Sequence, residues 1–203
     1  MPLQDIAKKR LLGNVYHVVV RQKEGKNIFL DEDDKTKFIE IINNKKKNNS
    51  LVYAYCLMDD HIHLIINEGE DKISNIMRRI NITYSKYFSK KYIDLNMKYS
   101  AKSTINTLEN NKAILEEVKN IHNEPVFHDM VKKPSEYPWS SYDSYLNIYG
   151  GCGAVDVKNV LMLFSQDEYK AVKLFIKYTK DSIFEKEKET KNIVAKEAFR
   201  HVK

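Results

Sequence analysis

The sequence predicts an α+β fold: a ferredoxin-like antiparallel sheet with helices packed on one face, plus a C-terminal helical extension. Three observations lead there. Hydrophobic periodicity runs in the order strand, helix, strand, strand, helix, strand, helix up to residue 123. Residues 51–67 read as two strands joined by a tight Asp59-Asp60 turn, which is a hairpin signature. After residue 134 the chain changes character, becoming rich in Pro, Ser, Gly and aromatic residues before helical spacing resumes.

Each element has its own signal. NVYHVVVR at 14–21 is β-branched and aromatic and reads as a buried strand. A loop containing Gly25 follows. DEDDKTKFIEIINNKKK then has acids at its start, Phe38, Ile41 and Ile42 at helical spacing, and lysines at its end, as the helix dipole favours. Residues 48–50 break that helix. LVYAYCLM at 51–58 and HIHLIIN at 61–67 are the second and third strands. Residues 72–92 put Ile73, Ile76, Ile80, Tyr84, Tyr87 and Phe88 on one stripe and Arg78, Arg79, Lys86 and Lys90 on the other, which predicts an amphipathic helix. MKYSAKSTI at 97–105 alternates as a fourth strand, and residues 106–123 predict a helix that Pro125 ends or turns. Short helices are expected at 157–164 and 167–182, ahead of a charged tail. The organisation expected is a main domain at 1–133, an aromatic connector with short helices packed on it at 134–183, and a solvated tail at 184–203.

Composition narrows the class. Of 203 residues, 42% are hydrophobic and 31% charged, as in ordinary globular proteins, and no apolar run is long enough to span a bilayer. The opening MPLQDIAKKRLLGN has charge without an apolar stretch, so no secretory signal is expected. Cys56 and Cys152 are too far apart to suggest a disulfide framework or zinc site, and a reducing cytoplasm is the expected compartment. The net charge of +6 suits a polyanionic partner, although many lysine-rich chains carry such charge without one. Thirteen tyrosines and eight phenylalanines among the lysines can stack on unpaired bases, or simply fill a core.

His61 and His63 carry the sharpest chemistry. Strand alternation puts both imidazoles on one face and Ile62 on the other, close enough to converge on one divalent metal. The rest of that strand is apolar, so two polar rings at its start need a partner. His17 can line the same face or serve a structural role, and His122, His128 and His201 form no metal spacing of their own.

In this order the segments resemble the HUH single-tyrosine transposases, the IS200-like family, and within it the REP-associated tyrosine transposase branch. The resemblance rests on YHVVVR at 16–21, IFLDEDDKTKF at 28–38, AYCLMDDHIHLII at 54–66, the tyrosine-rich helix, IHNEPV at 121–126 and PSEYPWSSYDSY at 134–145. It continues through AVDVKNVLMLFSQDEYKAVKLF. It implies a DNA-binding, metal-binding protein of DNA transposition and recombination, encoded by a mobile element. Two histidines and a third polar ligand hold Mg²⁺ or Mn²⁺, which polarises a phosphodiester. A tyrosine attacks the phosphorus, leaving a 5′-phosphotyrosine and a free 3′-hydroxyl. The implied partner is single-stranded or hairpin DNA, with RNA as an alternative, and the implied assembly is a homodimer; no membrane is involved.

The chain departs from the family pattern where the chemistry is concentrated. The family's Y-I-H-x-N-P reads NIHNEP here, so Asn120 occupies the tyrosine position and Glu124 the asparagine position, one helical turn apart. Lys102 falls at the family's arginine, and Asp60 replaces the asparagine before the first histidine. The implied metal set is His61, His63 and Glu124. The implied nucleic-acid surface is Arg78, Arg79, Lys86, Lys90 and Lys102. The favoured reading is a transposase scaffold that binds DNA without cutting it. Its alternatives are a nucleophile relocated to Tyr84 or Tyr87, and a metal-dependent phosphodiester hydrolase.

Overall fold

The computed structural model describes residues 13–45, 49–148 and 154–200. Strands β1 (Val15–Gln22), β2 (Leu51–Leu57), β3 (His61–Asn67) and β4 (Ala101–Leu108) form one antiparallel sheet in the order β2-β3-β1-β4. Helix α1 (Glu32–Lys45) connects β1 to β2, and α2 (Ile73–Lys91) connects β3 to β4. This is the ferredoxin-like plan. After β4 come α3 (Asn111–Phe127), α4 (Tyr142–Leu146), α5 (Val157–Leu161) and α6 (Glu168–Arg200).

Strand alternation divides the sheet between two cores. Val18, Val20, Ile62, Leu64 and Ile66 face α1 and α2, where they meet Phe38, Ile42, Ile76, Ile80 and Phe88. On the reverse face Val15, Tyr53, Cys56 and Ile65 meet Ile114, Leu115, Val118 and Ile121 of α3, backed by Tyr145, Val160 and Phe175. The helical pair α1 and α2 thus shares one face, while α3 and the C-terminal extension pack on the other. A register shift between Val52 and Ala54 bulges β2 at Tyr53, so both Tyr53 and Ala54 reach the α3-side core.

An edge strand with unpaired backbone groups is a site for unwanted pairing. The connector covers that edge on β2. Leu57 N donates to Trp139 O (2.9 Å) and Ser141 N to Tyr55 O (2.9 Å). The Tyr137 hydroxyl donates to Leu57 O (2.8 Å) and the Tyr145 hydroxyl to Tyr53 O (2.6 Å). The PWSSY stretch is therefore a strap along β2, which explains its mix of rings and hydroxyls. Buried Asn123 ties the extension to α3, its amide donating to Thr179 O (3.0 Å) and Ser182 Oγ (2.7 Å).

Some boundaries differ from the sequence reading. The fourth strand begins at Ala101 rather than 97 because its ladder starts where β1 ends, at the Gln22–Ala101 pair. It runs on to Leu108, and α3 begins only after Asn110, whose side chain accepts from Ala113 N (2.9 Å) as an N-cap. Pro125 lies inside α3 and does not end it. Proline there removes one backbone donor close to the helix end, and the chain closes two residues later with His128 N donating to Glu124 O. The last expected helix, 167–182, is instead one helix to Arg200. The N-terminal segment read for a signal, Cys152 and residues 201–203 lie outside the described residues. Cys56 is a buried free thiol. Among the described residues no helix is long and apolar enough to cross a membrane.

The strap makes a stability prediction. Tyr145→Phe leaves the buried Tyr53 carbonyl without its donor and should cost about 1–3 kcal/mol. Lys37→Ala, which removes one partner of an exposed pair with Glu40, should stay within about 0.5 kcal/mol. Urea unfolding of both variants against the parent checks the contrast.

Candidate metal and nucleic-acid site

The site begins with strand parity. Because Ile62, Leu64 and Ile66 fill the core beneath α1 and α2, His61 and His63 must point the other way, towards α3. Helix α3 brings Glu124 over them. Glu124 Oε1 lies 3.7 Å from His61 Nε2 and 3.9 Å from His63 Nε2. Ligand atoms of the three residues all fall within 4.8 Å of one another. Donors so spaced can share one ion at metal–ligand lengths of about 2.0–2.2 Å. Both Nε2 atoms are buried and lack a hydrogen-bond partner. Unpartnered buried imidazole nitrogens are costly unless something occupies the space between them, so the residues fit a divalent cation.

The opposite ring nitrogens are all engaged. His61 Nδ1 is 2.7 Å from Asp60 Oδ1. His63 Nδ1 is 2.9 Å from His17 Nε2, and His17 Nδ1 is 3.2 Å from Glu117 Oε1. His128 Nε2, one turn beyond Glu124 on the same helix, is 3.2 Å from Glu124 Oε1. The nearby His61 imidazole holds the Glu124 carboxyl at about 2, with His63 and His128 adding to it against the cost of burial. The same carboxylate, helped by Asp60, raises His61 above its ordinary value in spite of burial. Burial pushes His63 down to about 4, and it lowers His17 in spite of Glu117 and Glu124. A charged Glu124 and a neutral His63 are the forms that metal ligation needs, whereas an ion would have to displace the proton that His61 favours.

Beside the metal set the face is basic. Antiparallel pairing aligns His61 with Arg21, and Arg21 with Lys102, in one row across β3, β1 and β4. The next row runs from His63 through Val19 to Thr104. Val19, Arg21, Gln22, Lys23, Lys102 and Thr104 line a shallow groove there. Asn120 is exposed, three residues after Glu117 and four before Glu124, on the α3 stripe that carries both carboxylates.

The other residues singled out in the sequence are not at this site. Tyr84 is buried beneath α2, on the far side of the sheet, and its hydroxyl donates to Ile28 O (2.9 Å). Burial holds that hydroxyl far above its ordinary value. The Tyr87 hydroxyl donates to Asp34 Oδ1 (2.9 Å), and burial raises it as well. Arg79 pairs with Asp71. Arg78, Lys86 and Lys90 are exposed on α2, so only Lys102 of the five expected cations shares the histidine face. The stripe reading of α2 was sound, but helical periodicity does not say which side of the sheet the helix covers. His17 does line the histidine face, one of the two roles the sequence left open for it, whereas Arg21, Glu117, Asp60 and His128 have no place beside the histidines in the sequence reading. For Glu117 and His128 a signal existed, since both lie on Glu124's stripe at seven and four residues' spacing.

The family described as Transposase IS200 like matches residues 12–117. No curated protein matches the chain. A solved structure of the REP-associated tyrosine transposase bound to a REP hairpin is similar at 18% identity and a TM-score of 0.54, covering 75% of this chain and 90% of that one. A transposase structure from Deinococcus radiodurans R1 is 16% identical with a TM-score of 0.37, covering 54% of this chain and 88% of its own.

The geometry predicts a sharp division among variants. Glu124→Ala should abolish calorimetric Mn²⁺ binding, as should His61→Ala combined with His63→Ala. Tyr84→Phe and Tyr87→Phe should leave it unchanged, since neither ring is on the α3 side of the sheet.

Proposed function

The chain belongs to the IS200-like transposase family, and from that premise we propose a metal-binding protein that holds hairpin or single-stranded DNA without becoming covalently joined to it. The observation carrying this reading is Asn120. By the motif resemblance it stands at the family's tyrosine position, and it lies on the α3 stripe that presents Glu124 to the histidines. An asparagine amide has no ionisable hydroxyl and cannot form a phosphotyrosine.

His61 Nε2, His63 Nε2 and Glu124 Oε1 would hold Mn²⁺ or Mg²⁺. A carboxylate as the third ligand adds both charge and oxygen, which these hard cations favour. When bound, the ion supplies polarisation of a phosphodiester oxygen. Around it the chain's own residues bind and orient. Arg21 and Lys102, adjacent to His61 in the sheet row, would take backbone phosphates, and Lys23 extends that row along the groove. The REP hairpin seen on the fold relative supports a hairpin as this chain's ligand. A relocated tyrosine has little support: Tyr84 is buried and bonded on the opposite face, and Tyr87 is bonded to Asp34 there.

Labelled hairpin DNA incubated with Mn²⁺ and run on a denaturing gel should show neither a covalent adduct nor cleavage. An adduct lost in Tyr84→Phe or Tyr87→Phe would establish a relocated nucleophile. Cleavage without an adduct would establish hydrolysis at the same three ligands. Asn120→Tyr should restore only weak nicking, because Glu124 and Lys102 also depart from the family pattern.

Binding should be measured separately. Hairpin affinity should fall steeply with salt. Arg21→Glu with Lys102→Glu should weaken it more than Arg78→Glu with Lys86→Glu, because the latter pair sits across the sheet. Equal losses from the two double variants would move the DNA to a different surface.

A further inference from the structure

Burial on the α3 side leaves a short chain of polar groups with one consistent protonation. Glu117 Oε1 meets His17 Nδ1 at 3.2 Å, and His17 Nε2 meets His63 Nδ1 at 2.9 Å. The His17 and His63 rings are nearly coplanar, 14° apart with centroids separated by 5.2 Å. With the nitrogens only 2.9 Å apart, the rings meet edge to edge through an in-plane hydrogen bond rather than face to face. Both rings are largely buried, at 12% side-chain exposure each. Neither nitrogen in that contact can easily turn to water instead.

A carboxylate only accepts, so His17 Nδ1 must carry the proton that faces Glu117. A neutral His17 then has its lone pair on Nε2. The only bond it can make to His63 is as acceptor, which requires the His63 proton to be on Nδ1. The His63 lone pair is thereby left on Nε2, the buried atom without a partner that faces Glu124. With the opposite tautomer, His63 would point an N–H at the metal position, and His17 Nδ1 would set a lone pair against the Glu117 carboxylate.

We propose that Glu117, acting through His17, is an orienting chain that fixes His63 as its Nδ1–H tautomer and so presents the Nε2 lone pair to a divalent cation. His17 and Glu117 are positioning residues, and neither ligates the ion. The metal part of this statement rests on the reading of His61, His63 and Glu124 given above; the tautomer does not. The arrangement is the two-ring counterpart of Asp60 and His61, where one carboxylate performs the same task directly at 2.7 Å. Partners in this outer position typically govern metal affinity by about 10–100-fold. The chain also couples β1 and both halves of α3 to one coordination geometry, because Glu117 and Glu124 lie two turns apart on that helix.

The test uses the full chain, labelled with ¹⁵N-histidine and free of metal, with tautomers read from two-bond ¹⁵N–¹H correlations. Mn²⁺ affinity is measured in parallel by calorimetry. The parent should show His63 protonated at Nδ1. His17→Phe keeps a planar ring, somewhat larger, but removes the acceptor, so His63 should move to the Nε2–H form and Mn²⁺ affinity should drop at least tenfold. His17→Gln offers an amide oxygen near the old Nε2 and should recover most of both signals. Glu117→Ala should leave His63 a mixture of tautomers with an intermediate affinity. An Nε2–H tautomer in the parent, or an unchanged tautomer and affinity in His17→Phe, would overturn the proposal. Should the parent show the expected tautomer but no Mn²⁺ binding, the orienting chain would stand and the metal reading would fall.

Discussion

Everything at the candidate site follows from the register between β1 and β3. Val18 opposite Leu64 and Val20 opposite Ile62 lock those residues into the core under α1 and α2. A strand repeats every two residues, so burying that set obliges His61, His63, His17 and Arg21 to project from the other face. A shift of one residue would send the imidazoles into the apolar layer, where unpaired polar rings are heavily penalised. Core packing on one side of the sheet thus specifies the chemistry on the other, and the donor set needs no separate mechanism to keep it in line.

The second requirement is that α3 be held at a fixed height above the sheet. Ile114, Leu115, Val118 and Ile121 provide the apolar contact, while Glu117 and Glu124 project from an adjacent stripe towards the histidines. The extension holds α3 from behind. Asn123 bonds to α6, and His122 is wholly buried against Tyr142, Tyr145 and Phe175 with its Nε2 2.8 Å from Ser141 Oγ. Ser141 belongs to the strap that also bonds Tyr55 on β2. The aromatic connector is therefore part of what positions Glu124, at one remove, and α3 alternates between residues that serve the site and residues that anchor it.

Much of this was legible in the sequence because the signals were periodic. Alternation in HIHLIIN fixed the shared face of His61 and His63, and the stripe of α2 gave that helix to within one residue at either end. Resemblance to a family motif supplied Glu124, which no spacing rule links to a histidine 61 residues earlier. What escaped notice depended on the third dimension. Arg21 reaches the site only through strand pairing, and α2 presents its cations to the opposite side because of which sheet face it covers. Pro125 shows a different limit. Proline breaks a helix through the donor it lacks and the clash it makes with the preceding turn, yet α3 runs two residues past Pro125 before it ends.

The departure at Asn120 does not stand alone, since Glu124, Lys102 and Asp60 also differ from the family motif. His61, His63 and Glu124 nevertheless converge beside the row of Arg21 and Lys102, and Glu124 brings a charge to the proposed ligand set. Six tyrosine hydroxyls are committed to structure: Tyr84 to Ile28, Tyr87 and Tyr92 to Asp34, Tyr137 to Leu57, Tyr145 to Tyr53 and Tyr178 to Glu116. Recruiting one of them as a nucleophile would mean giving up a hydrogen bond in a buried or half-buried network, and several would also have to cross the sheet. On the proposed reading, a scaffold with a cation site and no attacking group would still bind and orient a phosphodiester, because those tasks depend on charge and geometry rather than on a hydroxyl. On that reading covalent capture is separable from binding, because it needs a hydroxyl that the Asn120 amide lacks.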